Sequence, residues 1–357
     1  MLFRSWMKRF RHLRQTYETP AQIAAGSAAD LLQSARALPG QKAAFVAAIE
    51  TSALQRFAWA DGVSAYLSDI YRGGMIINFL LAPVAISGGI AYLPLASSGD
   101  KWLFALFEVV LLAAILTLTI VGQQRRWHGR WLETRRVAEY LRHAPIMLLL
   151  GVARPVGRWP MGTETSWPEW YARNALREVG LPELVVTQDY LKTALTGLLD
   201  QHVVEQRDYH LLKAKRLTAA HRNLDRVSET LFTLAVISVT SYLALKGGAA
   251  LHLWPKDVAE SSSYFFTFLG VLLPTFGGTI TGIRFFGDFE RFAAISNAAA
   301  EKLTAVHSRV AQLLASPDAM LDYGQVADLS HATDDIVVGE IESWQAVFGG
   351  KHITVPV

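Results

Sequence analysis

Four uncharged or nearly uncharged stretches constrain this chain more than any motif does. Residues 74–96 carry no charged side chain, and residues 102–121 carry one, Glu108. Residues 230–251 carry only Lys246, and residues 264–283 carry none. Each meets the length of about 20 apolar residues that a helix needs to cross a hydrocarbon core. The connection between the first two, Ser97-Ser98-Gly99-Asp100-Lys101, is short and rich in turn formers, so they read as a hairpin. The second pair has a longer connection that holds Trp254, Pro255, Lys256 and Asp257. The expected fold is an all-α integral membrane protein: two transmembrane hairpins, four spans, and long cytoplasmic helical extensions.

Composition agrees. Apolar residues make up 51% of the chain and charged residues 18%, with a mean hydropathy of +0.22. A formal charge of +3 is too small to imply a nucleic-acid partner. The absence of cysteine excludes disulfides, thiolate metal sites and a cysteine nucleophile. No apolar core and cleavage site follow the basic N-terminus, so no cleavable signal peptide is expected.

Placement of the basic residues gives the orientation. Arg125, Arg126, Arg130, Arg135 and Arg136 follow the second stretch, and Lys213, Lys215, Arg216, Arg222 and Arg226 precede the third. Arg284 and Arg291 follow the fourth, whereas the two connections hold only Lys101, Lys246 and Lys256. The positive-inside rule then puts both termini and the middle region in the cytoplasm.

The expected organisation runs as follows. Residues 1–54 form an N-terminal helical region that opens with a basic amphipathic segment, fit either for an anionic leaflet or for packing on the protein's own body. Residues 55–150 form a first module with spans near 74–96 and 102–122. Residues 151–188 form a Trp-, Pro- and Gly-rich linker expected to be irregular. Residues 189–316 form a second module with spans near 230–251 and 264–283, and residues 317–357 a tail of one or two shorter helices with a disordered end. An internal repeat supports the two modules. Residues 55–87 lie on 206–238 at an offset of 151, and Ala138-Glu139 lies on Ala300-Glu301 at an offset of 162.

The segment Trp127–Arg142 joins the first pair of spans to the rest. Trp127 and Trp131 suit a membrane interface, while Glu139 has Arg135, Arg136 and Arg142 at helical neighbour spacings. As exposed pairs these would contribute only about 0.3–0.5 kcal/mol each, so the segment reads as a cytoplasmic collar.

Familiar catalytic patterns are missing: no Gly-x-Ser-x-Gly, no His-Glu-x-x-His and no phosphate loop. No enzyme activity and no cofactor are expected. Glu108 is the sharpest single residue, because a carboxylate at bilayer centre costs roughly 2.5–3.5 kcal/mol on insertion scales. At a rise of about 1.5 Å per residue its depth matches Ser87 through Tyr92 on the partner helix. It either lines a cation path or holds the hairpin together through a hydrogen bond. Gly278 and Gly282, one turn apart, suit close helix packing within the chain or between subunits. His202, Gln206 and His210 share a helical face as a polar stripe, and two histidines two turns apart make poor joint metal ligands.

Several short motifs taken together resemble the SLATT-type bacterial membrane proteins, in a four-span form. They are Phe57-Ala-Trp-Ala-Asp61, Tyr71-Arg72, Phe107-Glu108, Trp127-x-x-x-Trp131 and Arg136-Val-Ala-Glu139-Tyr-Leu-Arg142. Trp170-Tyr171, Arg177-Glu-Val-Gly-Leu181, Gln206-x-x-Tyr209-His210 and Ala300-Glu301 extend the likeness over most of residues 55–310. The resemblance implies an effector of bacterial conflict or antiphage systems, seated in the inner membrane as a homo-oligomer, that perforates or depolarises the bilayer when triggered. Such effectors are encoded beside or fused to modules of the SLOG, TIR or nucleotidyltransferase-like kind. The short N-terminal region here lacks phosphate-binding glycines, which points to a separate nucleotide-signal-sensing partner. A constitutive channel or transporter and a membrane scaffold are the alternatives, although a parallel repeat with both termini inside does not match inverted-repeat transporters.

Overall fold

The structure is a computed structural model that describes residues 17–95, 100–154, 167–253, 255–317 and 321–348, with side chains through Trp344. The basic amphipathic start, the turn at residues 97–99, Trp159 and Trp254 lie outside the described residues. Among the described residues 85% are helical and none lies in a strand.

The helices in chain order are α1 (Ala29–Arg36), α2 (Ala43–Ala48), a π turn (Ile49–Leu54), α3 (Gln55–Ile90), α4 (Tyr92–Leu95) and α5 (Lys101–Gln124). There follow α6 (Trp127–Arg142), α7 (Ala144–Leu149), α8 (Trp167–Val179), α9 (Gln188–Ala194) and a second π turn (Leu195–Asp200). The remainder is α10 (Gln201–Ala250), α11 (Lys256–Ser261), α12 (Ser263–Gly287), α13 (Phe289–Ala315) and α14 (Tyr323–Phe348). Four continuous helical stretches, Ala43–Ile90, Lys101–Gln124, Gln188–Ala250 and Lys256–Ala315, are long and apolar enough to cross a membrane.

Local chemistry explains the boundaries. Gly40 takes a φ of 73° after Pro39 and separates α1 from α2. The Thr187 hydroxyl accepts a hydrogen bond of 3.2 Å from the Tyr190 backbone N–H and caps α9. Pro168 sits in the first turn of α8, where a missing N–H costs no helical hydrogen bond. That placement corrects the expectation of irregular structure there: residues 167–179 are helical in spite of the surrounding Gly and Pro. The tail holds one helix of 26 residues, α14, within the expected one or two, and residues 349–357 lie outside the described residues.

Two compact units interleave along the chain. The first takes the described parts of Met1–Ile70, Trp127–Lys215 and Phe292–Gly350. The second takes the described parts of Tyr71–Arg126 and Arg216–Arg291. The first unit has a continuous apolar core in which Leu32, Ile49, Ile146, Leu149, Leu195 and Leu303 are fully buried. In the second, burial is thin: 11% of the apolar window of α5 and 6% of that in Lys256–Ala315 lie inside the protein.

The internal repeat has a backbone counterpart. Arg126 (φ 50°) and Asp288 (φ 46°) are both left-handed, 162 positions apart, and each is followed at once by a new helix, α6 at Trp127 and α13 at Phe289. Thr119 accepts a 2.9 Å hydrogen bond from the Asn78 side-chain amide, and Thr281, 162 positions later, shares one of 2.9 Å with Ser228. Ser87 and Ser238, 151 positions apart, are both buried with no hydrogen-bond partner for their hydroxyls. Each π turn also runs directly into a long helix, α3 or α10.

Candidate functional site

Helix α6 is where most of the buried charge of the first unit converges. The sequence places it at a membrane interface with exposed ion pairs, but the structure buries it. Trp131 is 2% exposed and Glu139 4%, and Val137, Ala138 and Leu141 are inaccessible. The difference has a simple origin. The face of α6 that carries charge also carries Val137, Ala138 and Leu141 close by, and other segments bring counter-charges to it.

Those counter-charges close a ring. The Glu139 carboxylate accepts from Arg135 and from Arg142 Nε, the latter at 2.9 Å. Arg135 and Arg142 both reach Asp61 Oδ1 on α3, at 2.9 and 3.2 Å. Two guanidiniums thus alternate with two carboxylates. Burial on its own raises the Glu139 carboxyl, but the adjoining Arg135 and Arg142 outweigh it and hold the group below the usual carboxylate range. Burial likewise opposes the charge of Arg135, and Glu139 more than restores it.

Neighbouring pairs extend the pattern. Glu169 of α8 accepts from Arg136 at 3.0 Å and from the Tyr140 hydroxyl at 3.1 Å. Arg154 donates in bidentate fashion to Asp334 of α14, at 2.6 and 2.5 Å, with both side chains almost inaccessible. Its guanidinium also lies 4.8 Å over the Tyr140 ring. Lys213 donates to Glu340 at 2.6 Å and sits 4.2 Å over the Trp344 ring, which in turn packs edge-on to Trp131.

A neutral histidine pair sits among these ions. His143, at the end of α6, and His202 on α10 have ring centroids 5.2 Å apart. The Nε2 of His143 lies 3.0 Å from the Ser330 carbonyl and 3.2 Å from its hydroxyl. Burial pushes the His143 imidazole down to about 4, and burial together with the neighbouring His143 pushes His202 well below the ordinary histidine range. His210, two turns further along α10, is buried beside Glu340 at 3.7 Å, too far for a hydrogen bond, and burial also lowers it. The stripe seen in the sequence is therefore an interhelical one. Among the described residues no group of three or more His, Asp or Glu side chains is placed to hold a metal ion.

The second unit places the other sequence candidates. Glu108 is half-buried on α5 against Gly89 of α3, so close that a Cβ at Gly89 would collide with the carboxylate. That contact falls inside the predicted depth window. Ser87 is two residues away, about 200° around the helix at 100° per residue, and so lies on the far side of α3 from Glu108. Tyr92 stacks edge-on to Phe104 at 6.3 Å, with the Lys101 ammonium 5.3 Å over its ring. Gly282 gives room to the Phe79 ring, while Gly278 meets nothing within 4 Å; Gly277 is the glycine that admits Leu231 and Ser228. The Asn78–Thr119 bond and the ion pair between Arg284 and Asp225 were not anticipated. Each joins residues far apart in sequence, with no local signature.

No family model, no curated protein and no solved structure matches this chain. The likeness to SLATT-type proteins rests on the short motifs alone.

Proposed function

We propose that this chain is an inner-membrane effector of a bacterial defence or conflict system, forming an oligomeric pore or disrupting the bilayer when triggered through its cytoplasmic helices. In this reading the second unit is two transmembrane hairpins with polar contacts between their helices, Asn78–Thr119 in the first and Ser228–Thr281 in the second. The first unit is the cytoplasmic body, and both termini lie on that side, as the basic residues favour.

One observation carries the oligomeric part of the reading. The apolar helices keep wide outward faces: Trp102, Leu106 and Val110 on α5, Phe232, Val236 and Leu243 on α10, and Phe265 on α12 are all exposed. Exposed apolar surface on this scale belongs against lipid or another subunit. With so little of each helix inside, one chain has too small an interior to enclose a water-filled path, and several copies are required. A partner that senses a nucleotide signal would act on the cytoplasmic body. No nucleic-acid partner is part of this reading.

Induced expression in a bacterial host carrying a potential-sensitive dye tests it. Depolarisation with growth arrest, at raised copy number or on phage challenge, is the expected result. An intact potential under both conditions overturns it and leaves the scaffold reading, whereas steady permeation without growth arrest or trigger indicates a constitutive channel. Glu108→Gln separates the two roles of that carboxylate: altered depolarisation with unchanged folding supports an ion-path role.

A further inference from the structure

The four apolar stretches of the second unit hold two charged side chains of opposite sign, Glu108 on α5 and Lys246 on α10. Among the described residues neither has a hydrogen-bond or ion-pair partner within the chain. We propose that they pair with each other between copies, the Glu108 carboxylate of one copy meeting the Lys246 ammonium of the next. The subunit interface is then α5 against α10. This pairing rests on the oligomeric reading above and names the contact that the reading leaves open. The two charges share a depth. Glu108 lies six residues in from Trp102 and Lys246 five residues in from Leu251, the outer ends of their stretches. At about 1.5 Å per residue that is roughly 9 and 7.5 Å below the outer end, the same layer of a bilayer. Charged side chains inside a membrane face protein or water and find one another or a backbone carbonyl.

They also sit on the two end members of the helix series. Asn78–Thr119 joins α5 to α3, and the Phe79 ring joins α3 to Gly282 and Phe286 of α12. Ser228–Thr281 and Tyr242–Phe266 then join α12 to α10. With the acid at one end and the base at the other, copies meet through unlike surfaces, head to tail. Such contacts close into a ring when the rotation between copies allows. Both charges can be reached. Lys246 is exposed and shares a helical face with Val239 and Leu243, which are exposed as well. A Cβ at the adjoining Gly247 would meet nothing within 4 Å, so a neighbouring helix has room there. Glu108 is half-buried against Gly89, and Gly88 and Gly89 bring no side chain to cover the carboxylate from α3. The four-carbon stem of a lysine can lie along apolar surface and carry its ammonium to that seam.

Native mass spectrometry of the full-length protein in mild detergent, which counts copies per particle, is the test. An oligomer is expected for the natural chain. Glu108→Lys and Lys246→Glu each set like charges against each other and should each disperse it, with helical circular dichroism unchanged. Lys246→Met removes the charge without a repulsion and should weaken association about tenfold. The decisive arm is a mixture. Differently tagged Glu108→Lys and Lys246→Glu chains, expressed together, should copurify and reassemble, because each supplies the charge the other lacks across the interface. Recovery by both reversals in one chain, without recovery in the mixture, overturns the proposal, since the partners would then belong to one chain. An oligomer that neither reversal disturbs also overturns it, with Lys246 reaching the headgroups on its own, and leaves the oligomeric reading standing. A natural chain that is monomeric removes both. Permeation altered by Glu108→Gln at an unchanged copy number assigns the carboxylate to the ion path and likewise overturns the pair.

Discussion

The two units hold themselves together by opposite means. The first surrounds α6 with buried ions, every one matched: Glu139 with Arg135 and Arg142, Glu169 with Arg136, Asp334 with Arg154, Glu340 with Lys213. The second carries long apolar helices joined by neutral polar contacts, with Asp225–Arg284 at its margin. Buried charge makes a structure specific and costly to disturb, because removing one partner strands the other in a medium that cannot solvate it. Apolar helix faces carry no such penalty, and their association rests on shape. The first unit should therefore break sharply under single substitutions, and the second only gradually.

Substitution at the Arg154–Asp334 pair offers the hardest test of that contrast. Arg154→Leu should cost about 3–5 kcal/mol in thermal unfolding followed by circular dichroism, since Asp334 is then buried without its partner. Replacing both together, Arg154→Met with Asp334→Leu, should recover most of the loss. A small effect from the single change would dissolve the distinction between the units.

Acid is the next lever. His143 and His202 are held neutral in the folded state at values below the unfolded 6.5, so the unfolded chain binds protons first as pH falls. Their contribution is full above 6.5 and is lost as pH drops from there through about 4, the value for His143. Arg142, Arg154 and His331 oppose protonation of the pair and Asp334 favours it. For His143 alone, the drop from 6.5 to about 4 corresponds to roughly 3–4 kcal/mol at about 1.4 kcal/mol per pH unit. Glu139 adds a second loss below the usual carboxylate range. His202→Phe should flatten the upper limb in pH-dependent melting and leave the lower one; an unchanged upper limb would falsify the role given to the pair.

In the second unit the expected effects are smaller. Gly282→Leu forces the Phe79 ring aside and should cost about 1–3 kcal/mol. Asn78→Val removes a single cross-helix hydrogen bond and should cost about 0.5–1.5 kcal/mol. Steric trapping or denaturation in mixed micelles would measure both. A cost at Asn78 as large as that at Arg154 would erase the distinction from the other side.

How legible all this was depended on the range of the interaction. Hydropathy located the four long apolar helices, and the repeat offsets of 151 and 162 recur in the buried Ser87 and Ser238 and in the left-handed Arg126 and Asp288. The burial of α6 could not be seen. Within its own segment Glu139 has arginines at surface-helix spacings, and the partners that make the site an interior one come from Asp61, Glu169 and Asp334, brought in by tertiary packing. Gly and Pro were over-read around residues 151–188, because Pro168 in a first turn permits the helix it seemed to oppose.

The π turns at Ile49–Leu54 and Leu195–Asp200 carry a consequence for the gene as well as for the protein. A π turn holds one residue more than an α turn, so each resets the rotational phase of the long helix after it by about 100°. Loss of a single codon there, at Ser52 for example, would let the segment relax to α-helix with every downstream face kept, because the extra residue and the wider turn are lost together. Loss of one codon in the α-helical stretch between that turn and Asp61 would instead turn every downstream face by about 100°, and Asp61 would swing away from Arg135 and Arg142. The reading frame and the hydropathy would survive intact, yet the helix would present the wrong side along its whole length.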